Sequence, residues 1–328
     1  MRYLLTIVSL LFLFQQATAQ FHSQDNPLAH TFSIVARDAE TGEMGVGVQS
    51  HWFSVGTTVS WARAGVGAVA TQSFSNKSFG PRGLDLLEEG KSASEALAIL
   101  LRDDEGREFR QVAIVDNDGN VAVHTGSKCI ADAGHRTGNG FSVQANMMLT
   151  DEVWDAMADT FEQRADLPLA ERIMATLKAA QEAGGDIRGK QSAAILVVKD
   201  DPDTKAWNDP MIDLRVDDHH APLDEMERLL RVYRAYEHMS EGDLALEEND
   251  MERALAEYGA ARKMFPENLE MKYWTAVTLA NNGDFESAMP IFREVFDADG
   301  NWKELTRRLP AVGLLQVNDQ RLREILEL

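Results

Sequence analysis

Hydrophobic and polar positions alternate over Thr31–Arg37 (TFSIVAR) and again over Glu43–Ser50 (EMGVGVQS). The turn Asp38-Ala-Glu-Thr-Gly42 lies between them, so the pair predicts a β-hairpin. Val55–Ala62 and Gly65–Ser73 repeat the pattern around Arg63-Ala64-Gly65. The period then becomes helical. Pro81–Glu89 has proline in its first turn, and Ala93–Arg102 is preceded by Ser92, which forms a capping box with Glu95. Strands resume at Phe109–Val115 and Val121–Thr125, about the turn Asp116-Asn-Asp-Gly-Asn120, with a short β segment near Gly140–Ala145. Asp151–Arg164 and Pro168–Ala183 read as amphipathic helices, the second closed by Gly184-Gly185. Gln191–Lys199 is a strongly apolar strand and Met211–Val216 a shorter one.

Hairpins imply antiparallel sheets, and helix pairs set between them can cover the outer faces of two stacked sheets. The order predicts an α+β fold, a four-layer αββα sandwich over residues 31–222. A two-layer α+β domain is the alternative.

From Pro222 onward the pattern is helical, over Glu225–Glu248, Met251–Phe265, Leu269–Asn281 and Phe285–Phe296. A 34-residue period relates Ala254 to Ala288, Tyr258 to Phe292 and Pro266 to Gly300. The period, with small residues at helix crossings, resembles the tetratricopeptide repeat (TPR). Residues 223–328 are expected to form a small all-α TPR-like domain of about two repeats, with neighbouring helices or Trp302–Leu328 capping its ends. Such a domain docks a protein partner, or serves as a spacer or a surface for a homo-oligomer.

The N-terminal segment has a different pattern. Met1-Arg2 is basic, Tyr3–Phe14 is mostly apolar, and Gln15-Gln-Ala-Thr-Ala19 is polar and ends small-x-small. Residues 1–19 therefore read as a signal peptide cut after Ala19, with residues 20–30 as a polar leader. The expected location is exported, periplasmic or extracellular. Tyr3–Phe14 is too short to span a membrane, and no other run reaches about 18 apolar residues, so no membrane segment is expected after cleavage.

Charge removes one class of partner. There are 53 acidic and 32 basic residues, a net charge of −21. A surface that acidic repels phosphate backbones and excludes nucleic acid as a partner. The single cysteine, Cys129, allows no intramolecular disulfide, so packing must hold the fold.

Short motifs point away from cofactors and metals. Gly65-Val-Gly67-Ala-Val-Ala70 continues as strand and opens no helix, so it is no dinucleotide fingerprint. Asp116–Asn120 has its glycine at the fourth position, which suits a hairpin turn better than calcium. Asp213, Asp217, Asp218, His219 and His220 include adjacent residues that point to opposite faces. Cys129 reads as a small buried hydrophobe rather than a nucleophile. No metal and no cofactor is called for.

Polar residues gather instead at strand ends. They are Thr31 and Ser33, Gln72 and Ser73, Asn146, then Asp186, Arg188, Gln191 and Ser192, and Arg215 two places from Asp213. Together they offer hydroxyls, amides and a guanidinium, suited to a polar or carboxylate-bearing small molecule. Each alone is also ordinary turn or ion-pair chemistry.

Several of these residues lie in longer motifs. Thr31-Phe-Ser-Ile-Val-Ala-Arg-Asp38, Trp61-Ala-Arg-Ala-Gly-Val-Gly-Ala-Val-Ala-Thr-Gln72, Gly80-Pro-Arg-Gly83, Gly185-Asp-Ile-Arg-Gly-Lys-Gln-Ser-Ala193 and Asp213-Leu-Arg-Val-Asp-Asp-His219 occur in that order. Over about Thr31 to Leu230 the chain closely resembles the family called domain of unknown function 1028. That family is grouped with the N-terminal-nucleophile (Ntn) hydrolases, whose fold is the αββα sandwich. The resemblance implies an amidohydrolase acting on a small amide or peptide-derived substrate, with Thr31 as the catalytic nucleophile; Ser33 is the other catalytic candidate and, like Ser73 or Ser192, would need another base. Gln72, Ser73, Asn146, Asp186, Arg188, Gln191, Ser192 and Arg215 would then contact substrate. In such enzymes a free α-amine, with a pKa of about 8, is the base for the first residue's hydroxyl. Cleavage after Ala19 leaves Gln20–His30 ahead of Thr31, so a second cut between His30 and Thr31 is required, or Thr31 is no such nucleophile. The competing expectation is a non-catalytic ligand-binding domain with a TPR-like interaction module at the cell envelope.

Overall fold

The computed structural model describes residues 28–205 and 207–328. The export signal read at 1–19 and the leader as far as Pro27 lie outside the described residues. The chain divides into two compact units between Met226 and Glu227.

The first unit holds two antiparallel sheets. Its strands are β1 (Leu28–Ala29), β2 (Thr31–Arg37), β3 (Met44–Ser50), β4 (Ser60–Arg63), β5 (Gly67–Phe74), β6 (Arg110–Asp116), β7 (Val121–Thr125), β8 (Gly134–Gly138), β9 (Phe141–Ala145), β10 (Ser192–Val198) and β11 (Ile212–Val216). One sheet runs β1-β5-β6-β7, with β4 also on β5; the other runs β11-β10-β3-β2-β9-β8. Val35, Val46 and Val48 of one sheet meet Ala68, Ala70, Ala113 and Val115 of the other in the core between them. Helices α2 (Phe79–Glu88) and α3 (Ala93–Arg102) close the outside of the first sheet over Val69, Val112 and Ile114. Helices α4 (Val153–Gln163) and α5 (Leu169–Glu182) close the other, where the Phe161 ring lies 4.7 Å from that of Phe141. The layers are therefore helix, sheet, sheet, helix.

Successive strand residues face opposite sides, and in the central strands both sides are covered, so their residues are apolar or buried on both parities. In β2, Phe32, Ile34 and Ala36 face the helices while Thr31, Ser33 and Val35 face the other sheet, and all six are buried. Glycine is needed where a helix comes close. A Cβ on Gly47 would stand 2.2 Å from Ile173 Cγ2 of α5. Gly47→Val is therefore expected to destabilise the fold by about 1 to 3 kcal/mol through overpacking, read as a lower urea midpoint at unchanged slope.

Three local differences from the sequence expectation have physical causes. Val55–Ala62 is not one strand: Gly56–Val59 is a helical turn, α1, before β4. The turn carries the chain from one sheet to the other, and the Val55 amide is held by Ser192 Oγ at 3.1 Å. Strand β8 (GHRTG) has no apolar alternation and is an edge held through the backbone of β9. The leader's last residues also join the fold: Leu28 pairs with Phe74 and Ala29 with Ser73. Asp116–Asn120 is a hairpin turn, with the Asp116 carboxylate accepting from the Ala93, Asp118 and Asn120 amides.

The second unit is all-helical: α6 (Pro222–Glu247) from Glu227 onward, α7 (Met251–Met264), α8 (Leu269–Asn281), α9 (Phe285–Ala298), α10 (Asn301–Arg308) and α11 (Asp319–Leu326). Ala254 and Tyr258 lie in one buried cluster, and their repeat mates Ala288 and Phe292 in the next. Leu309, Leu315 and Ile325 complete the second cluster, so the segment after Trp302 caps the repeats as expected.

Candidate functional site

Toward one end of the sandwich the space between the sheets changes from apolar to polar. Ser33 of β2, Gln72 of β5, Gln111 of β6, and Ser142 and Gln144 of β9 all project into it, and all are fully buried. They form one chain of hydrogen bonds. Ser142 Oγ donates to Gln144 Oε1 at 2.8 Å, and Gln144 Nε2 donates to Ser33 Oγ at 2.6 Å. Ser33 Oγ donates to Gln72 Oε1 at 2.6 Å, and Gln72 Nε2 donates to Gln111 Oε1 at 2.7 Å. Asn146 Nδ2 donates to the same Gln111 oxygen at 2.8 Å. Gln111 Nε2 closes the set on Thr125 Oγ1 and the carbonyls of Gly134 and Ala145.

Each amide in this chain has its direction set by its neighbours. Asn146 must turn its oxygen toward His30, whose Nδ1 lies 2.8 Å away. Nδ1 is therefore the protonated nitrogen. Burial, reinforced by the Arg188 charge, holds the His30 pKa below the ordinary 6.5 against the pull of Asn146 and Asp186. Burial thus favours the neutral ring.

Thr31 sits at the junction of this network and the chain that precedes it. It is fully buried, and its hydroxyl donates to the Ala29 carbonyl at 2.9 Å. Its own carbonyl accepts from Gln72 Nε2 and the Asn146 amide. The His30 carbonyl, on the bond that joins it to Thr31, accepts from Ser50 Oγ at 2.6 Å and Arg188 Nη2 at 2.8 Å. Arg188 is held in turn by the buried Asp186 carboxylate, at 2.7 and 3.0 Å. Asp186 also accepts from the His51 amide at 3.0 Å.

Thr31, Ser33, Gln72, Asn146, Asp186 and Arg188 thus come together. Ser73 lies at the edge of the group as the ladder partner of Ala29. The side chains of three expected contacts are engaged elsewhere, although Ser192 is the ladder partner of Ser50 and the Gln191 amide donates to the Ser50 carbonyl. Ser192 Oγ is committed to the Trp52 carbonyl and the Val55 amide. Gln191 reaches Asp218, and Arg215 pairs with Asp213 at 2.6 Å on the edge strand β11. Burial pushes the Cys129 thiol pKa up, against a nucleophilic role. Among the described residues no group of three or more His, Cys, Asp or Glu is placed to hold a metal ion.

His30, Ser50, Gln111 and Gln144 were not singled out from sequence. The two glutamines do carry a signal: each is a polar residue on the parity of an apolar strand that faces the other sheet. Ser50 carries the same signal, two places from Val48 in β3, whereas His30 lies in the polar leader and had none.

Arg110 makes the floor of the site rigid. Its Nη1 donates to the Phe74 carbonyl at 2.6 Å, and its Nε to Asp104 at 2.7 Å. Burial alone would raise the Asp104 pKa, but the Arg110 guanidinium and the Gly106 amide outweigh it and hold the carboxyl below the usual range. The folded value lies below the unfolded one. The pair's contribution is therefore whole above the unfolded value, about 3.9, and lost as pH falls through the folded one. Asp104→Asn is expected to cost about 2 kcal/mol at pH 7, with the difference from wild type vanishing in acid, measured by urea unfolding across pH.

Comparison with known proteins agrees with this architecture. Residues 31–226 match the family of unknown function DUF1028, and residues 239–301 match the tetratricopeptide repeat. No curated protein matches the chain. The crystal structure of protein SPO2555 from Silicibacter pomeroyi, itself described as DUF1028, is similar at 32% identity and a TM-score of 0.55, over 62% of this chain and 88% of that one. Anbu, the ancestral beta-subunit from Yersinia bercovieri, overlaps at 12% identity and a TM-score of 0.30, over 62% of this chain and 96% of its own. Over residues 31–226, set ahead of its tetratricopeptide repeats, the chain belongs to the DUF1028 family.

Proposed function

We propose that this chain is an exported amidohydrolase precursor of the Ntn type, with Thr31 as the masked nucleophile. One observation carries the reading: the carbonyl oxygen of the His30–Thr31 bond is gripped by a hydroxyl and a guanidinium, Ser50 and Arg188. A carbonyl so held is polarised for attack, and the same two donors stabilise the oxyanion that attack creates.

The first reaction is on the chain itself. Thr31 Oγ1 attacks the His30 carbonyl carbon, a C–O bond forms, and the hydroxyl proton passes to the departing nitrogen as the C–N bond breaks. Water then hydrolyses the ester. His30 leaves as a carboxylate and Thr31 keeps a free amine and a free hydroxyl. That amine becomes the base for the hydroxyl, and an amide substrate places its carbonyl where His30 had been. The tetratricopeptide repeats supply the surface for a protein partner.

The test is the intact mass of the exported protein, followed by a screen against small amides and peptides. The reading expects Thr31 as the first residue and hydrolysis by that form. A chain that begins at Gln20 and still hydrolyses amides overturns the amine-base mechanism. One that begins at Gln20 and hydrolyses nothing is a ligand-binding domain with a docking module.

A further inference from the structure

We infer that the trough filled by Leu28–His30 is a peptide site, and that its substrate is an extended peptide with a small residue and then histidine before the cleaved bond. The inference rests on reading Thr31 as the nucleophile, because it takes the leader as the shape of the substrate. Three contacts specify that peptide.

The first is the backbone. Leu28 and Ala29 add a short antiparallel strand to β5, opposite Phe74 and Ser73. Pairing of this kind takes a peptide chain and ignores its side chains, so a lone small amide would forfeit it. The platform is stiff, since Arg110 and Asp104 lock the Phe74 carbonyl.

The second is the Ala29 position. Its methyl is wholly buried in the apolar core between the sheets. A larger side chain there has no room, which selects for a small residue.

The third is His30. The residue is 2% exposed and its ring stands edge-on to Phe74, with centroids 5.8 Å apart. The network that fixes Asn146 points an oxygen at the ring, so the position calls for a neutral donor. An aspartate would set a carboxylate against that oxygen, and a leucine would leave it unpaired. A site built to bond one group rejects the analogue that lacks it.

The experiment uses the full exported chain with its first residue established by mass. Acetyl-Leu-Ala-His carboxylate is titrated by calorimetry against versions with Asp or Leu for His and Phe for Ala. The aminomethylcoumarin amides of the same peptides are assayed for turnover. The expected result is binding about tenfold tighter for the His peptide than for the Asp and Leu forms, about the worth of one hydrogen bond, and a similar order in kcat/KM. Asn146→Leu should abolish the histidine preference, and the peptide series stands even if that variant fails to fold. Equal binding of all four peptides overturns the inference, as does a chain that keeps its leader bound through an intact His30–Thr31 bond. Turnover of other amides without histidine preference sinks this inference and leaves the hydrolase reading standing. Selective binding without turnover sinks the hydrolase reading and the cleaved bond with it, and leaves the trough as a peptide-binding site alone.

Discussion

Thr31→Ala is expected to yield an exported chain that still begins at Gln20 and hydrolyses no amide. Wild type should begin at Thr31, and the loss of activity should be about 10⁴-fold or more, as for removal of other enzymatic nucleophiles. Misfolding is not the expected cause. The Thr31 hydroxyl makes one hydrogen bond, to the Ala29 carbonyl, so its removal costs about 1 kcal/mol. The buried methyl that is also lost is worth only about 1 kcal/mol. Thr31→Ser keeps the hydroxyl and should keep both reactions. Mass spectrometry and circular dichroism on the three proteins separate the cases. An alanine variant that starts at residue 31, or that hydrolyses as wild type does, removes Thr31 from the chemistry.

Arg188→Met should have two effects of different origin. It removes a donor from the His30 carbonyl, and loss of one such donor typically slows attack by about 10² to 10³-fold. It also strips the buried Asp186 carboxylate of its countercharge. Losing one partner of a buried pair costs about 3 to 5 kcal/mol, and less here because Arg188 is 27% exposed. About 2 to 3 kcal/mol is the expected loss in urea unfolding. The double variant Asp186→Asn with Arg188→Met separates the two. It should recover most of the stability, since no lone charge is left, while cleavage stays slow. Recovery of both together would make Arg188 a structural residue only.

Architecture was readable from the chain because alternation is local. A residue's parity in β2 or β5 is set by its immediate neighbours, and helical period and capping box are equally short-range. The repeat was readable for the same reason, since Ala254 and Ala288 occupy the same place in successive units. Edge strand β8 escaped because its side chains carry no pattern, and α1 because a turn between sheets interrupted a strand-like run.

The candidate site divides along the same line. Thr31, Asp186 and Arg188 stood out as polar residues at strand ends, and a family resemblance gave Thr31 a role. Ser192 and Arg215 stood out equally, yet they serve a turn and an edge ion pair. What the sequence by itself determined is the order of strands and helices, the buried parities and the place of the repeats, because each follows from neighbours within a few residues. Only the tertiary structure decided which polar residues meet. Ser33 reaches Gln72 across 39 residues, Gln144 reaches Ser33 across 111, and Arg188 reaches the His30 carbonyl across 158. Those contacts depend on how two sheets stack and where the chain enters between them, and packing of the whole domain sets both.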